Sequence, residues 1–347
     1  MPLDSPDPDR ALARLGRCAA RMEVEIVRLP LAEPFCIADR VFEDVETVVV
    51  QLEADGCVGQ AEAAGVFYLG DMPLDIAAAL TDARPIVAQG IDHAQVARLF
   101  PPGGARNALD CALWDLQAQR IGLPVWQLLD MPPPKPLLTT YTIGNAAPDV
   151  MADAARRHAQ VQAIKIKLNG DAEDGDRIAA VRTARPDVWI GVDANRSLTP
   201  EKLARLLPAL LSAQVQLVEQ PFAVGADSAL ADVELPIALA ADESVQTSDD
   251  LERLAPLYQV INIKLDKCGG LTDGLRLARR ARALGLEVMV GNMLGSSLAM
   301  APAFLLGQYC SIVDLDGPIF LAADCTPGAA YHAGRIDCAA HPWGSGQ

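Results

Sequence analysis

From about residue 137 onward, short runs of β-branched and apolar residues alternate with longer Ala- and Leu-rich stretches whose apolar positions recur at helical intervals. The runs cover 139–143, 163–168, 189–193, 215–219, 237–241, 260–264, 286–290 and 311–316. Their starts lie 24, 26, 26, 22, 23, 26 and 25 residues apart, the room that one strand and one returning helix require. Eight parallel units of this kind close a barrel. The stretches between them predict helices over 149–159, 174–184, 200–211, 248–254, 273–284 and 298–306. Thr199 before Pro-Glu and Ser248 before Asp-Asp supply acceptor side chains at helix starts, and Gly285 stands where a helix stops.

Ahead of the barrel the pattern changes. Residues 22 to about 60 alternate as a strand meander, and 73–130 turn helical, with Arg-Asn-Ala-Leu-Asp-Cys-Ala-Leu-Trp-Asp-Leu-Gln-Ala from Arg106 reading as a buried helix. Three prolines at 132–134 mark the join. The expected division is an N-terminal tail over 1–21, an α+β domain over 22–130, the barrel over 135–320, and a segment over 321–347 that returns to the first domain. The tail lacks the apolar stretch of a signal peptide, and Met22 is a candidate translation start.

Composition narrows the function. No apolar run approaches the roughly 20 residues that span a bilayer, so no membrane partner is expected. A net charge of −16 without a basic stripe argues against nucleic acid. Eight cysteines, scattered without a CxxC pair, read as reduced thiols in a cytoplasm.

In a barrel of this kind, working groups sit at the C-terminal ends of strands. Asp193, Glu219 and Asp242 end the third, fourth and fifth runs, so their carboxylates converge without a balancing Arg in the motifs. Oxygen-only ligands suit a hard divalent ion, Mg²⁺ with Mn²⁺ as a substitute, whereas zinc would favour His or Cys. Lys167 and Lys264 end the second and sixth runs, on opposite sides of the axis with the acids between. Two bases facing one carbon, beside a cation that holds a carboxylate, suit removal and return of an α-proton. Lys165 shares the inward face with Lys167, one layer deeper, and would disfavour a second positive charge there. Taken singly, a strand-end acid is more often a helix cap and a lone Lys a solvated group. Five such residues at barrel spacing outweigh that.

AIKIKLNG, VDANRSL, LVEQPF, AADES and INIKLDKCGGLT, in that order, resemble the muconate-lactonising branch of the enolase superfamily. The resemblance implies an α/β fold, a modified TIM barrel (β/α)7β behind an N-terminal α+β capping domain whose two loops close over the substrate. It implies that Lys167 and Lys264 are the acid/base pair, that Asp193, Glu219 and Asp242 bind Mg²⁺, and that Lys165, Asn195 and Asp266 support them from behind. Asp314 and Asp316 in SIVDLDGP look like the DxD with which dipeptide epimerases hold the substrate's α-ammonium. A homo-oligomer is expected by analogy.

The first capping loop, PFCIADRV from Pro34, lacks the Arg that often follows Pro-Phe in relatives, and Arg40 is the candidate replacement. The second loop offers Phe67 and Tyr68 as aromatic walls; Thr142, on the first run, joins the substrate-binding candidates. Gly295 stands where some glutamate-handling relatives carry an acid. The expected activity is epimerisation of a dipeptide at the carbon next to its C-terminal carboxylate. Racemisation of N-acyl amino acids, a cycloisomerase or lyase reaction, and a catalytically idle scaffold are the alternatives.

Overall fold

The computed structural model describes residues 6–37, 40–339 and 341–346, apart from the side chains of residues 37 and 40. Arg40, named above, therefore lies outside the described side chains.

After a short helix α1 (Pro8–Leu12), the chain forms an antiparallel sheet in the order β1 (Arg21–Ile37), β2 (Arg40–Ala54) and β3 (Cys57–Ala63). Asp55 and Gly56, both at positive φ, make the two-residue turn between β2 and β3 that matches strand twist. Three helices follow: α2 (Pro73–Ala88), α3 (His93–Leu99) and α4 (Gly104–Ile121), with α5 (Val125–Leu128) after them. Helix α4 is buried from Asn107 through Ala118, because β3 covers one side and barrel elements cover another. Its polar groups are satisfied across that junction: Trp114 Nε1 donates to Thr272 Oγ1 at 2.9 Å, and Thr272 donates its amide and hydroxyl to the Asp110 carboxylate at 3.0 and 2.7 Å.

The strand β4 (Leu137–Leu138) lies outside the barrel, paired with β14 (Arg335–Asp337), which in turn pairs with β13 (Ala330–His332). Eight parallel strands then follow in sequential order: β5 (Tyr141–Ile143), β6 (Ala163–Lys167), β7 (Trp189–Asp193), β8 (Leu217–Glu219), β9 (Ala238–Ala241), β10 (Val260–Ile263), β11 (Glu287–Val290) and β12 (Ile312–Val313). The amide of Thr140 donates to Val313 O at 2.9 Å and brings the two edges together. The fold is the capped TIM-type barrel that the sequence spacing predicts. The first strand begins two residues later than expected, since Thr139 bonds Gly334 instead. The last ends at Val313, before both acids of the Asp-Leu-Asp motif.

Helices α6 (Pro148–Arg157), α7 (Asp174–Ala184), α8 (Pro200–Ser212), α9 (Leu251–Leu254), α10 (Leu265–Cys268), α11 (Leu271–Ala283) and α12 (Ser297–Gly307) cover the barrel. Between β8 and β9 a 3-10 turn, Asp227–Asp232, replaces a full helix. Leu217, Ala240, Val260 and Met289 form an apolar cluster with Trp189 packed against it, one turn of the pleat below the polar strand ends. Gly191 leaves room for that indole, because a Cβ there would stand 2.6 Å from the Trp189 ring. The polar mouth thus rests on an apolar floor.

Described residues near both termini are docked on the first domain or the barrel. The segment expected as a tail pairs Asp7 with Arg279 and Asp9 with Arg276, and Cys18 exchanges backbone hydrogen bonds with Ile91. Its apolar residues Ala11 and Cys18 find core positions, which explains why it does not behave as a free tail. At the other end, Trp343 Nε1 donates to Cys111 O and Gly344 N to Asp115 Oδ1, 3.2 and 2.6 Å away. Among the described residues no helix is long and apolar enough to cross a membrane.

Candidate active site

A cavity of about 570 Å³ lies over the C-terminal ends of the barrel strands and under the first domain. Parallel register brings the strand-end groups to one level: Lys167 pairs with Asp193, and Asp193 with Glu219. Asp193, Glu219 and Asp242 are essentially without solvent access, and the three site lysines are almost as buried.

Each lysine stands on an acid. Lys167 Nζ donates to Asp193 Oδ2 at 2.6 Å and to Asn195 Oδ1 at 3.1 Å. Lys264 Nζ donates to Asp242 Oδ2 at 2.7 Å. Burial opposes the charge on Lys264, but Asp242 outweighs it with help from Tyr68 and Glu219, and the pKa is held above the ordinary lysine value. Lys165 donates to Asp314 and lies 3.6 Å from Glu219 Oε2 and 4.0 Å from Asp193 Oδ2. Burial again works against the charge, and Asp314, Glu219 and Asp193 together hold its pKa high. Lys165 is thus neutralised by its own partners, where the sequence reading had it acting chiefly as a repelling charge on Lys167.

Glu219 is the under-compensated member. Its Oε1 accepts from Asn262 Nδ2 at 2.6 Å, while Oε2 is buried with no hydrogen bond among the described residues. Burial first, and Asp193 second, push its carboxyl up to about 8. As the side chains stand, no group of three His, Cys, Asp or Glu among the described residues is gathered closely enough to hold a metal; the ammoniums of Lys167 and Lys264 occupy the carboxylates of Asp193 and Asp242. The donor chemistry nevertheless fits a hard cation: three buried carboxylates, oxygen only, with an orphan oxygen on the middle strand.

The other expected residues divide. Thr142 donates its amide to Asp316 Oδ2 at 2.7 Å, and Asn292 reaches Asp316 Oδ1 at 3.5 Å. Asp316 faces the cavity, and burial together with Asp314 pushes its carboxyl up to about 6. Asp314 is committed to Lys165 and to the Thr140 hydroxyl. Phe67 and Tyr68 line the cavity from the capping side, the Tyr68 hydroxyl buried without a hydrogen bond among the described residues. Asn195 stands beside Lys167, as expected. Asp266 does not join the group. Its Oδ1 accepts from the amides of Ala64 and Gly65 at 2.9 and 3.0 Å, so it fastens the end of β3 to the barrel.

Sequence reasoning missed several neighbours. Asn262 lies two residues before Lys264 on the same inward face, a signal that strand alternation carried. Lys267 Nζ donates to Asp242 Oδ1 at 2.6 Å and to Asn262 O at 3.1 Å; nothing in its spacing announced this, since it sits on the one-turn helix α10. Glu243 and Arg196 also line the cavity, each adjacent in sequence to a predicted site residue.

Comparison with known proteins identifies the family. Residues 21–130 match the mandelate racemase/muconate lactonizing enzyme N-terminal domain, and 149–328 match the enolase C-terminal domain-like family. The chain belongs to the enolase superfamily. Within it, the L-Ala-D/L-Glu epimerase of Escherichia coli is 37% identical over 309 residues, 88% of this chain and 96% of that one. An N-acetyl-D-glutamate racemase from Pseudoalteromonas is 40% identical over 250 residues, 71% of this chain and 78% of that protein. Among solved structures, an enolase family member from Agrobacterium tumefaciens, with homology to dipeptide epimerases and bound to sodium and L-Ala-L-Glu, superposes with a TM-score of 0.88 at 37% identity over 91% of this chain and 97% of that one. A dipeptide epimerase from Methylococcus capsulatus, complexed with Mg and L-Arg-D-Lys, gives 0.86 at 31% identity over 92% and 97%.

Proposed function

We propose that this superfamily enzyme epimerises a dipeptide by 1,1-proton transfer at the carbon next to the C-terminal carboxylate. The observation that carries the reading is the placement of Lys167 and Lys264, which enter the cavity from the second and sixth strands with Asp193, Glu219 and Asp242 between them. In this reading the three acids hold Mg²⁺, and Asp316 receives the ammonium of the N-terminal residue.

When bound, the cation supplies the positive charge that makes an α-proton next to a carboxylate acidic enough to remove. With Asp193, Glu219 and Asp242 engaged in holding a cation, the ammoniums of Lys167 and Lys264 would lose their carboxylate partners, and one of these lysines would serve as base. That lysine takes the α-proton from one face of the carbon. The other, still protonated, delivers its own proton to the opposite face, and the configuration inverts. Tyr68 and Phe67 close the cavity from above and keep bulk water off the carbanionic carbon. The two lysines exchange protonation states in each turnover, which makes the reaction reversible by construction.

One observation favours a second reading, racemisation of an N-acyl amino acid. Asp314 is taken by Lys165, which leaves Asp316 as the one of the two motif acids without a lysine partner among the described residues. Incubation with Mg²⁺ in D₂O and a panel of L,L dipeptides and N-acyl amino acids, followed by NMR at the α-proton, separates the two. Exchange with appearance of the epimer in dipeptides alone supports the proposal; exchange confined to N-acyl substrates replaces it with the second reading. Eight free cysteines support a reducing, cytoplasmic setting.

A further inference from the structure

The cations around the cavity are not alike. Lys165, Lys167 and Lys264 are buried, and each is bonded to a strand-end acid. Arg196 is the exception: its side chain retains 36% of its surface, and its guanidinium makes no hydrogen bond among the described residues. Its Nε lies 3.2 Å from Glu243 Oε1, close enough for ionic attraction but not aligned as a donor. Its flat face covers the Tyr68 ring, with Cζ 5.2 Å from the centroid.

The backbone at Arg196 is held in an uncommon turn. Asn195 and Arg196 both stand at positive φ, 41° and 70°, a region that non-glycine residues seldom enter, and the Arg196 amide donates to Gln220 O at 2.9 Å to hold the turn. Glu243 lies beside Nε, Tyr68 lies against the guanidinium, and Arg196 lines the cavity. A planar cation supported in this way suits a carboxylate, which it binds through two parallel hydrogen bonds. The first capping loop carries Cys36 after Phe35, and Phe35 packs on Phe320 with ring centroids 4.6 Å apart, so the described part of that loop is apolar.

We propose that Arg196 is the specificity-determining residue that binds an anionic side chain, a glutamate or aspartate carboxylate, on the C-terminal residue of the substrate. The inference rests on the dipeptide reading above and goes further than it. Asp316 beyond the last strand and Arg196 beyond the third then grip opposite ends of the substrate. Its α-carbon is held between Lys167 and Lys264, and the charge requirement falls on the side chain instead of the reacting carboxylate.

The test uses the Mg²⁺-loaded enzyme and compares kcat/KM for L-Ala-L-Glu with that for L-Ala-L-Met, a neutral substrate of similar length, and for L-Ala-L-Lys. In Arg196→Met the Glu-to-Met ratio falls by at least about 30-fold, chiefly through KM, since a lost charge-assisted pair leaves the substrate carboxylate unmatched. Arg196→Lys, which keeps the charge without the fork, recovers part of the ratio and guards against a simple folding defect. Arg40→Met leaves the ratio in place. An unmoved ratio in Arg196→Met, a collapse in Arg40→Met instead, or a wild-type preference for L-Ala-L-Lys overturns the inference while leaving the epimerase reading intact. A wild-type enzyme that exchanges no dipeptide α-proton fails that reading, and this inference with it.

Discussion

Lys264 Nζ and Asp242 Oδ2 lie 2.7 Å apart, so the residue proposed as an acid/base and the residue proposed as a metal ligand hold each other. The same relation links Lys167 to Asp193. Metal occupancy and lysine protonation are therefore linked, and each should report on the other.

Chelation should abolish turnover, and Mg²⁺ should restore it. Mg²⁺ should also stabilise the fold, by about 2.7 kcal/mol at a hundredfold excess over its dissociation constant. Urea unfolding at several Mg²⁺ concentrations measures this, and a midpoint indifferent to Mg²⁺ would remove the three acids as a metal site.

Replacing one lysine at a time should leave half of the chemistry. Lys167→Ala and Lys264→Ala each lose epimerisation by about 10³-fold or more, yet each should still exchange the α-proton of one configuration in D₂O. The two variants should choose opposite configurations. Retention of normal epimerisation by either would mean a one-base reaction.

Asp316 predicts a pH effect. Its carboxyl is held up to about 6, mainly by burial and then by Asp314, and an ammonium needs it ionised. KM for a dipeptide should therefore rise as pH falls through about 6, approaching tenfold per unit, whereas an N-acyl substrate should lack this limb. The stability sign is the reverse. A carboxyl whose pKa rises on folding stabilises the fold while neutral, and that contribution is lost as pH rises through about 6. Kinetics of Asp316→Asn on both substrate classes would expose the difference.

Asp266 predicts a mechanical effect. Asp266→Ala leaves the amides of Ala64 and Gly65 unmatched, at a cost of about 2 kcal/mol, and loosens the strand that leads to Phe67 and Tyr68. KM should rise more than kcat falls. Denaturant titration and steady-state kinetics on the same preparation check both parts.

Gly295 is held by packing. A Cβ there would stand 2.8 Å from Glu62 Oε1 and 3.2 Å from Ala299, so Gly295→Ala should cost about 1–3 kcal/mol. Glu62 comes from β3 and accepts from the Ser296 amide at 2.8 Å, which places a capping-domain acid where the sequence comparison looked for a barrel acid. A melting curve unchanged by the substitution would contradict this packing.

The barrel and its strand-end groups were legible because two periods fix them together. Repeats of 22 to 26 residues place the strands, and alternation along each strand chooses the inward side chains, as for Lys165, Lys167, Asp193 and Glu219. Pairing across the barrel was not legible. Asp314 and Asp316 have the same parity and chemistry, and only the position of Lys165 in space decides which one it takes. The partners of Asp266 were not legible for a local reason: the chain turns helical at Leu265, so strand alternation no longer governs where its carboxylate points. Lys267 escaped notice through the same change of period.

The contacts of Trp343 and Gly344 with helix α4 bear on how the protein is made. They join positions 232 and 229 residues apart, so the first domain is closed by residues that are made only after the whole barrel. The helix they cover, buried from Asn107 through Ala118, waits through synthesis of the whole barrel with part of its surface bare. Such distant closure slows folding, and it makes the interval before Trp343 and Gly344 dock a period of exposure to aggregation and to chaperones.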